Sequence, residues 1–471
     1  MVLIMVTLYF KRIARSVSAL GERLYGGECM SFRQITDLLW PLFLDQLFLQ
    51  GINIINTVMI ASYGPEAISA VGVVGAFNNF ITNIFVAIAT GCAVVVAQYC
   101  GRRDMKNASD AAAQAVTSTL LIALIVSVIL YSFTDTVVGL LLGKAEPLTK
   151  EYAKTFLIGN IVSFPLFGII QTVLSALRGA GITKVSVFFS TGINLLNVLL
   201  NILLLYIARL GIYGLSLSVV ICRAVFAVLA ILYMLYPKNP LRAPLPSFFK
   251  IDPRLQRSIL YVAIPTALEQ IFFHGGRMLT QVFVVGFGTM STTAHTVVTA
   301  LNQLVMVTGQ TISIAILTIA GQCIGMNNVA EAKRHIRLST YTGIAACVLT
   351  SLITLPLLHP LLSFYNLPQE AYDLSYGVSL MILIGTPLTW CISFIPPSGL
   401  RAGGDVAYTT VAALICMWTI RVGMGYILGA VLNYGIYGIW VAMFTEWAVR
   451  GVIFMARAGG SKWHQHKVIQ S

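Results

Sequence analysis

An all-α, polytopic membrane protein with twelve transmembrane helices in two homologous six-helix lobes is the fold class this sequence predicts. Three observations predict it. Of the 471 residues, 57% are hydrophobic and only 10% are charged, and the mean hydropathy is +0.84, so there is too little charge to cover a soluble surface. Apolar runs of membrane-spanning length recur from one end of the chain to the other. The octet Pro41-Leu42-Phe43-Leu44-Asp45-Gln46-Leu47-Phe48 returns 224 residues later as Pro265-Thr266-Ala267-Leu268-Glu269-Gln270-Ile271-Phe272, with Pro, acid, Gln and Phe in the same places.

The elements follow from the apolar runs and their breaks. Residues 1–29 form an N-terminal extension whose apolar run Val2 to Phe10 precedes Lys11, Arg12, Arg15 and Arg23. That order is the reverse of a secretory signal, so the segment reads as a cytoplasmic, interfacial extension, or as a leader to a true start at Met30. Six spans at about 36–60, 66–98, 112–138, 152–177, 184–208 and 212–236 make an N-lobe of residues 30–236. A polar linker covers 237–258, and six more spans at about 259–285, 291–323, 337–358, 372–400, 407–431 and 435–457 make a C-lobe of residues 259–458. A tail of residues 459–471 closes the chain. Several runs exceed the roughly 20 residues a span needs, so these helices should tilt or protrude.

The duplication extends beyond the octet. Gln98 and Gly101 at the end of span two match Gln322 and Gly325 at the end of span eight, again at an offset of 224. Leu177-Arg178-Gly179-Ala180-Gly181 matches Leu400-Arg401-Ala402-Gly403-Gly404 at 223, and Gly211-Ile212-Tyr213-Gly214 matches Gly435-Ile436-Tyr437-Gly438 at 224. Six spans per half is an even number, so the copies enter the membrane from one side, as parallel repeats about an axis along its normal. Basic residues cluster after spans two and eight (Arg102, Arg103, Lys106; Lys333, Arg334, Arg337) and in the linker, whereas the opposite loops are nearly bare. The positive-inside rule then makes both termini cytoplasmic, in the plasma membrane.

The net charge of +13 is accounted for by these short loops, which removes the case for nucleic-acid binding. Eight cysteines show no CxxC or Cys/His cluster, so no disulfide framework and no metal site is expected. Arg178–Gly181 and Arg401–Gly404 lack a Walker lysine and serine and read as tight turns with a positive topology anchor; no catalytic constellation and no enzyme is expected.

Polar residues inside the spans carry the function. Asp45 lies in the hydrocarbon zone of span one, where burial disfavours the charged carboxylate and makes protonation part of its chemistry. Pro41 leaves the Asp37 carbonyl without its helical donor, so a bend or an added partner is expected there, and Pro265 repeats this in span seven. Asn194, Asn197 and Asn201 in span five are the expected partners of Asp45. Asn53 and Asn56 in span one and Asn78, Asn79 and Asn83 in span two add to a polar first half. In the second half Glu269 shares its helix with His274 and Arg277, and Arg421 stands at the repeat position of Asn197, with Glu269 or Glu446 as its acid.

In order and spacing these motifs resemble the multidrug and toxic compound extrusion (MATE) family of cation-coupled antiporters, over about residues 30 to 465. They are Pro-x-x-x-acid in spans one and seven, Gln-x-x-Gly ending spans two and eight, Leu-Arg-Gly-Ala-Gly after span four and Asn-x-x-x-Asn in span five. The Gly-Ile-Tyr-Gly entries to spans six and twelve, and Glu446-Trp447-x-x-Arg450, complete the set. The resemblance implies two six-helix lobes in a V and alternating access, with proton or sodium influx driving efflux of cationic lipophilic compounds from a monomer in the lipid bilayer. By that resemblance Asp45 falls on the family's first-helix acid, Glu269 on its seventh-helix acid and Asn197 on its span-five Asn, with Asn201 where many members have Asp. Together with the reading of the residues this assigns Asp45, Asn197 and Asn201 to ion coupling and Glu269, Arg277, Arg421 and Asn194 to substrate and conformational roles. Val219 stands where some members have a sodium-ligating Thr, and Trp390 where others have an Asp, which favours the proton as coupling cation; no other cofactor is expected. The alternative is a flippase of lipid-linked precursors, for which basic residues in the cavity would hold pyrophosphate.

Overall fold

The computed structural model describes residues 21–23, 25–61, 65–143, 145–465 and 468–469, with the side chains of residues 53, 54, 56–58, 60, 61 and 65 left out. The expectations for residues 1–20 and for the Asn53 and Asn56 side chains lie outside the described residues.

Among the described residues twelve long helices follow one another: α1 Phe32–Ala61, α2 Pro65–Gly101, α3 Met105–Ser132, α4 Pro147–Gly179, α5 Thr183–Ile207, α6 Gly211–Leu235, α7 Pro253–Gly286, α8 Thr289–Gly325, α9 Val329–Ser363, α10 Gln369–Ala402, α11 Val406–Val431 and α12 Gly435–Gly459. Short helices at Thr134–Leu142 and Leu245–Phe249 fill two connections. Among the described residues ten are long and apolar enough to cross a membrane. α1 and α7, which carry Asp45 and Glu269, complete the two sets of six. Helices such as α2 and α8, at 37 residues each, are about 55 Å long and outrun the roughly 30 Å hydrocarbon core.

The repeat is written into the backbone as well as the side chains. Arg103 (φ 61°) and Asn327 (φ 63°) turn after α2 and α8, and Gly181 (φ 81°) and Gly404 (φ 89°) after α4 and α10. Arg209 (φ 52°) and Asn433 (φ 56°) turn before α6 and α12. Both α5 and α11 end in π-helical turns, at Ile202–Ile207 and at Met417–Met424 and Ile427–Val431. Such turns are rare and tend to sit at functional sites.

Small residues decide how the halves meet. A Cβ on Gly101 would lie 2.1 Å from the Gln322 carbonyl oxygen, and one on Gly325 2.1 Å from that of Gln98. The ends of α2 and α8 therefore cross backbone to backbone, next to the basic loops. Two glutamines lock the crossing with matched bonds: Gln98 Nε2 donates to Ala402 O (2.6 Å) and Gln322 Nε2 to Gly179 O (3.1 Å). The Gln-x-x-Gly motif is thus the clasp between the halves.

The first helix of each half also reaches across. Cys29, Met30, Ile35, Leu38 and Leu42, at the entry of α1, are buried in a core otherwise made by α8 to α12 and the tail. Leu255, Ile259 and Val262, at the entry of α7, are buried in the core built from α2, α3, α4 and α6.

Candidate functional site

The two acids and the two arginines of the duplicated motifs meet. Asp45 on α1 is 1% exposed, and the Arg178 guanidinium at the end of α4 comes within 3.6 Å of Oδ2, with Ser190 of α5 alongside. Glu269 on α7 is held at the equivalent place by Arg401 at the end of α10, whose Nη2 lies 2.7 Å from both carboxylate oxygens. Thr410 Oγ1 donates to Glu269 Oε2 at 3.2 Å. Each arginine is itself aimed by a hydroxyl eight residues on: Arg178 Nε donates to Ser186 Oγ (3.0 Å) and Arg401 Nε to Thr409 Oγ1 (3.5 Å). The helices run through Pro41 and Pro265 without interruption. The Asp37 carbonyl freed by Pro41 accepts instead from Thr183 Oγ1 at 3.3 Å, which ties α1 to the start of α5.

Several expected partnerships change. Ser190, rather than the asparagines, is the α5 residue beside Asp45; Asn197 and Asn201 lie about 10 and 16 Å farther along that helix. Asn201 Nδ2 donates to Asn197 Oδ1 (3.3 Å), and the Ser218 hydroxyl of α6 donates to Asn201 Oδ1. Asn194 turns back onto its own helix, to Ser190 O at 2.8 Å. Glu269 pairs with Arg401 instead of Arg277 or Arg421. Arg178 and Arg401, read as topology anchors, are the acids' partners. Their repeat offset of 223, within one residue of the acids' 224, was the available signal, because equivalent residues of a duplicated fold form equivalent contacts.

A cavity of about 740 Å³ opens in the second half, lined chiefly by α7, α8, α10, α11 and α12, with Asn83 of α2; Gln270, next to Glu269, lines it, but neither acid–arginine pair does. Arg277 and Arg421 line it, with His295, Gln270, Gln303 and Asn302, and aromatic walls come from Phe273, Trp390, Phe394, Trp440 and Trp447. No carboxylate is among these lining residues. Arg421, in the first π-turn of α11, donates to Glu446 Oε2 (2.7 Å), and Arg450 Nη1 lies 2.9 Å from Glu446 Oε1. One buried acid thus serves two arginines, which stack over Phe273 and Phe394 at 5.3 and 4.4 Å. Arg277 is exposed and makes no ion pair among the described residues. Three indole N–H groups, of Trp390, Trp440 and Trp447, lack an acceptor, as does the Nε–H of Arg421. The cavity is therefore positive and rich in donors, which favours a ligand rich in acceptors.

Trp390 fills the place where a span-ten acid was considered and stacks on Phe394 with centroids 4.7 Å apart. His274 packs edge-on to Phe80 at 6.0 Å. No metal-ligand spacing was legible in the chain, yet at the basic end the fold brings Cys29, Cys323 and Glu331 together.

Comparison with known proteins agrees with this architecture. The MatE family model matches residues 41–203 and 265–427, two segments 224 residues apart. An uncharacterized transporter, YisQ, of Bacillus subtilis is 26% identical over 436 residues, covering 91% of this chain and 94% of that protein. A probable multidrug resistance protein, NorM, of Thermotoga maritima is 22% identical, covering 93% and 94%. Among solved structures, a MATE in complex with MaL6 superposes with a TM-score of 0.83 at 16% identity, covering 93% of this chain and 97% of that one. A MOP superfamily transporter from Pyrococcus furiosus, described as having a binding pocket of reverse polarity, superposes at 0.82 and 16% over the same shares.

Proposed function

The chain belongs to the MatE family of membrane transporters, and from that premise we propose that it is a secondary active exporter working by alternating access, coupled to protons through Asp45. The basic end, where Gln98 and Gln322 clasp the halves, is the cytoplasmic end, so this state is closed towards the cytoplasm. A charged Asp45 holds Arg178, the last turn of α4 before the clasp; a protonated Asp45 releases it. Asn197, Asn201 and Ser218 extend that polar path along α5 and α6. Proton and substrate are coupled reciprocally if each prefers the opposite state.

The cavity supports a substrate class as well. Its polarity is the observation that carries the reading: Arg277 and Arg421 line it and no carboxylate does. An amphipathic aromatic compound bearing a carboxylate, sulfonate or phosphate fits, with rings against Trp390 and Phe394 and the anion at Arg277. A lipid-linked precursor meets the same requirement through its phosphates. The cationic lipophilic substrates suggested by the resemblance are the second reading. The aromatic walls favour them, although two of those faces already hold Arg421 and Arg450.

Proteoliposomes loaded with ethidium or with a fluorescent aromatic sulfonate separate these classes. Export of the sulfonate under a proton gradient, lost in Arg277→Gln, is the expected result; export of ethidium alone would transfer the assignment to cations. Transport by Asp45→Asn should lose its dependence on the pH gradient, and retained dependence would remove Asp45 from the coupling.

A further inference from the structure

At the basic end, away from the cavity, the short segment before α1 lies against the junction of α8 and α9. Tyr25 bonds through its hydroxyl to Thr342 and stacks on His335, and Arg334 Nη2 donates to Gly26 O at 2.9 Å. Gly27 leaves room for the Glu331 carboxylate, which a Cβ there would meet at 1.9 Å. Cys29 follows, and its thiol, the Cys323 thiol of the last turn of α8 and a Glu331 oxygen of the first turn of α9 all lie within 4.8 Å of one another. The three residues are 8%, 0% and 7% exposed, so the donors converge inside the protein.

We propose that Cys29, Cys323 and Glu331 bind a thiophilic divalent cation of the zinc class, which straps the entry of α1 to the junction of α8 and α9. Two sulfurs and one carboxylate oxygen are the donor types such an ion takes, and they stand about 3.3–3.8 Å apart around it, so the donors need close by only about 1.5 Å or less. The carboxylate is already oriented. Cys29 N–H donates to both its oxygens (3.1 and 3.2 Å), Asn328 Nδ2 to Oε2 (3.0 Å), and His335 Nε2 lies 3.3 Å from Oε1. This is the outer support that ligand carboxylates carry. His335 is fully buried beside that carboxylate, which it faces through Nε2, while its Nδ1 has no hydrogen-bond partner. Helix capping explains the Asn328–Glu331 bonds, but it explains neither the convergence of two thiols from positions 294 residues apart nor the unpaired imidazole nitrogen.

The strap has a mechanical meaning. α1 begins inside the core of the second half and carries Asp45 on to Arg178 in the first. An ion at Cys29 fixes that entry to α8 and α9, whose junction adjoins the Gly325 crossing.

Cd²⁺ titrated into the full-length purified protein is the test, with three readings. The ultraviolet thiolate-to-cadmium band should saturate at one ion per chain, and Cys29→Ser or Cys323→Ser should weaken binding at least tenfold while Cys100→Ser leaves it unchanged. In the wild-type protein, where no substitution can disturb folding, Cd²⁺ should protect Cys29 and Cys323 from maleimide. It should also slow amide exchange in residues 25–31. An absent band, a band retained in Cys29→Ser, unprotected thiols or unchanged exchange would each overturn the proposal.

Discussion

Asp45 and Glu269 hold equivalent places in the two repeats, yet their arginines grip them differently. Glu269 is one methylene longer and takes Arg401 at 2.7 Å through both oxygens, with Thr410 in support; Asp45 stands 3.6 Å from Arg178. A buried acid stripped of its partner is costly, about 3–5 kcal/mol where the pair is well formed. Arg401→Ala should therefore lower the thermal unfolding midpoint in detergent more than Arg178→Ala does. Replacing Glu269 and Arg401 together by Leu and Met should recover most of the loss, because the isolated charge is gone. Equal midpoints for the two alanine variants would remove the asymmetry argued here. The looser pair is the better switch, since less is lost when its acid takes up a proton. The acids were legible in the sequence because a carboxylate in an apolar run stands out. Their arginines were hidden in Gly-rich turns whose basic character the topology rule also explains.

At the scale of elements, α2 and α8 cross where neither can carry a side chain. Gly101→Ala and Gly325→Ala should each force the basic ends apart, since a Cβ would meet backbone at 2.1 Å and backbone cannot give way. Spin labels placed on either side of the crossing should show a longer mean distance than in wild type. Gly72→Ala, with nothing within 4 Å of its Cβ, should leave that distance unchanged. The π-turns of α5 and α11 belong to the same scale. They follow Asn201 in one half and carry Arg421 in the other, so each lies at a polar residue the helix must present. The spans themselves were readable from apolar length, whereas the π-turns have no compositional signature and were not.

For the whole molecule, the exchange of first helices matters most. α1 enters through the largest core of the second half and α7 through that of the first, so each half leaves its main core incomplete without the other, although smaller cores lie wholly within the second half. Residues 1–244 expressed alone should be unstable in the membrane, and co-expression with residues 245–471 should restore a folded complex. Yield and protease resistance of the N-terminal piece, with and without its partner, measure this. A stable half would contradict the shared cores. The cavity is a whole-molecule feature too. Its charge sums Arg277 with two arginines sharing Glu446, from α7, α11 and α12.

Hydropathy, charge placement and the repeat at 223–224 residues determined by themselves that this chain is a duplicated, helical membrane transporter with an acid at the equivalent place in the first helix of each half. Those are one-dimensional properties: apolar length, loop charge and self-similarity survive without knowledge of contacts. The tertiary structure alone decided which groups meet. It gave Asp45 an arginine and a serine in place of asparagines, made the Gln-x-x-Gly motif a clasp, turned the cavity positive, and set Cys29 beside Cys323. Each of these depends on the angle and register at which helices pack, and that is set by small side chains at crossings such as Gly101 on Gln322, which no periodicity along the chain records.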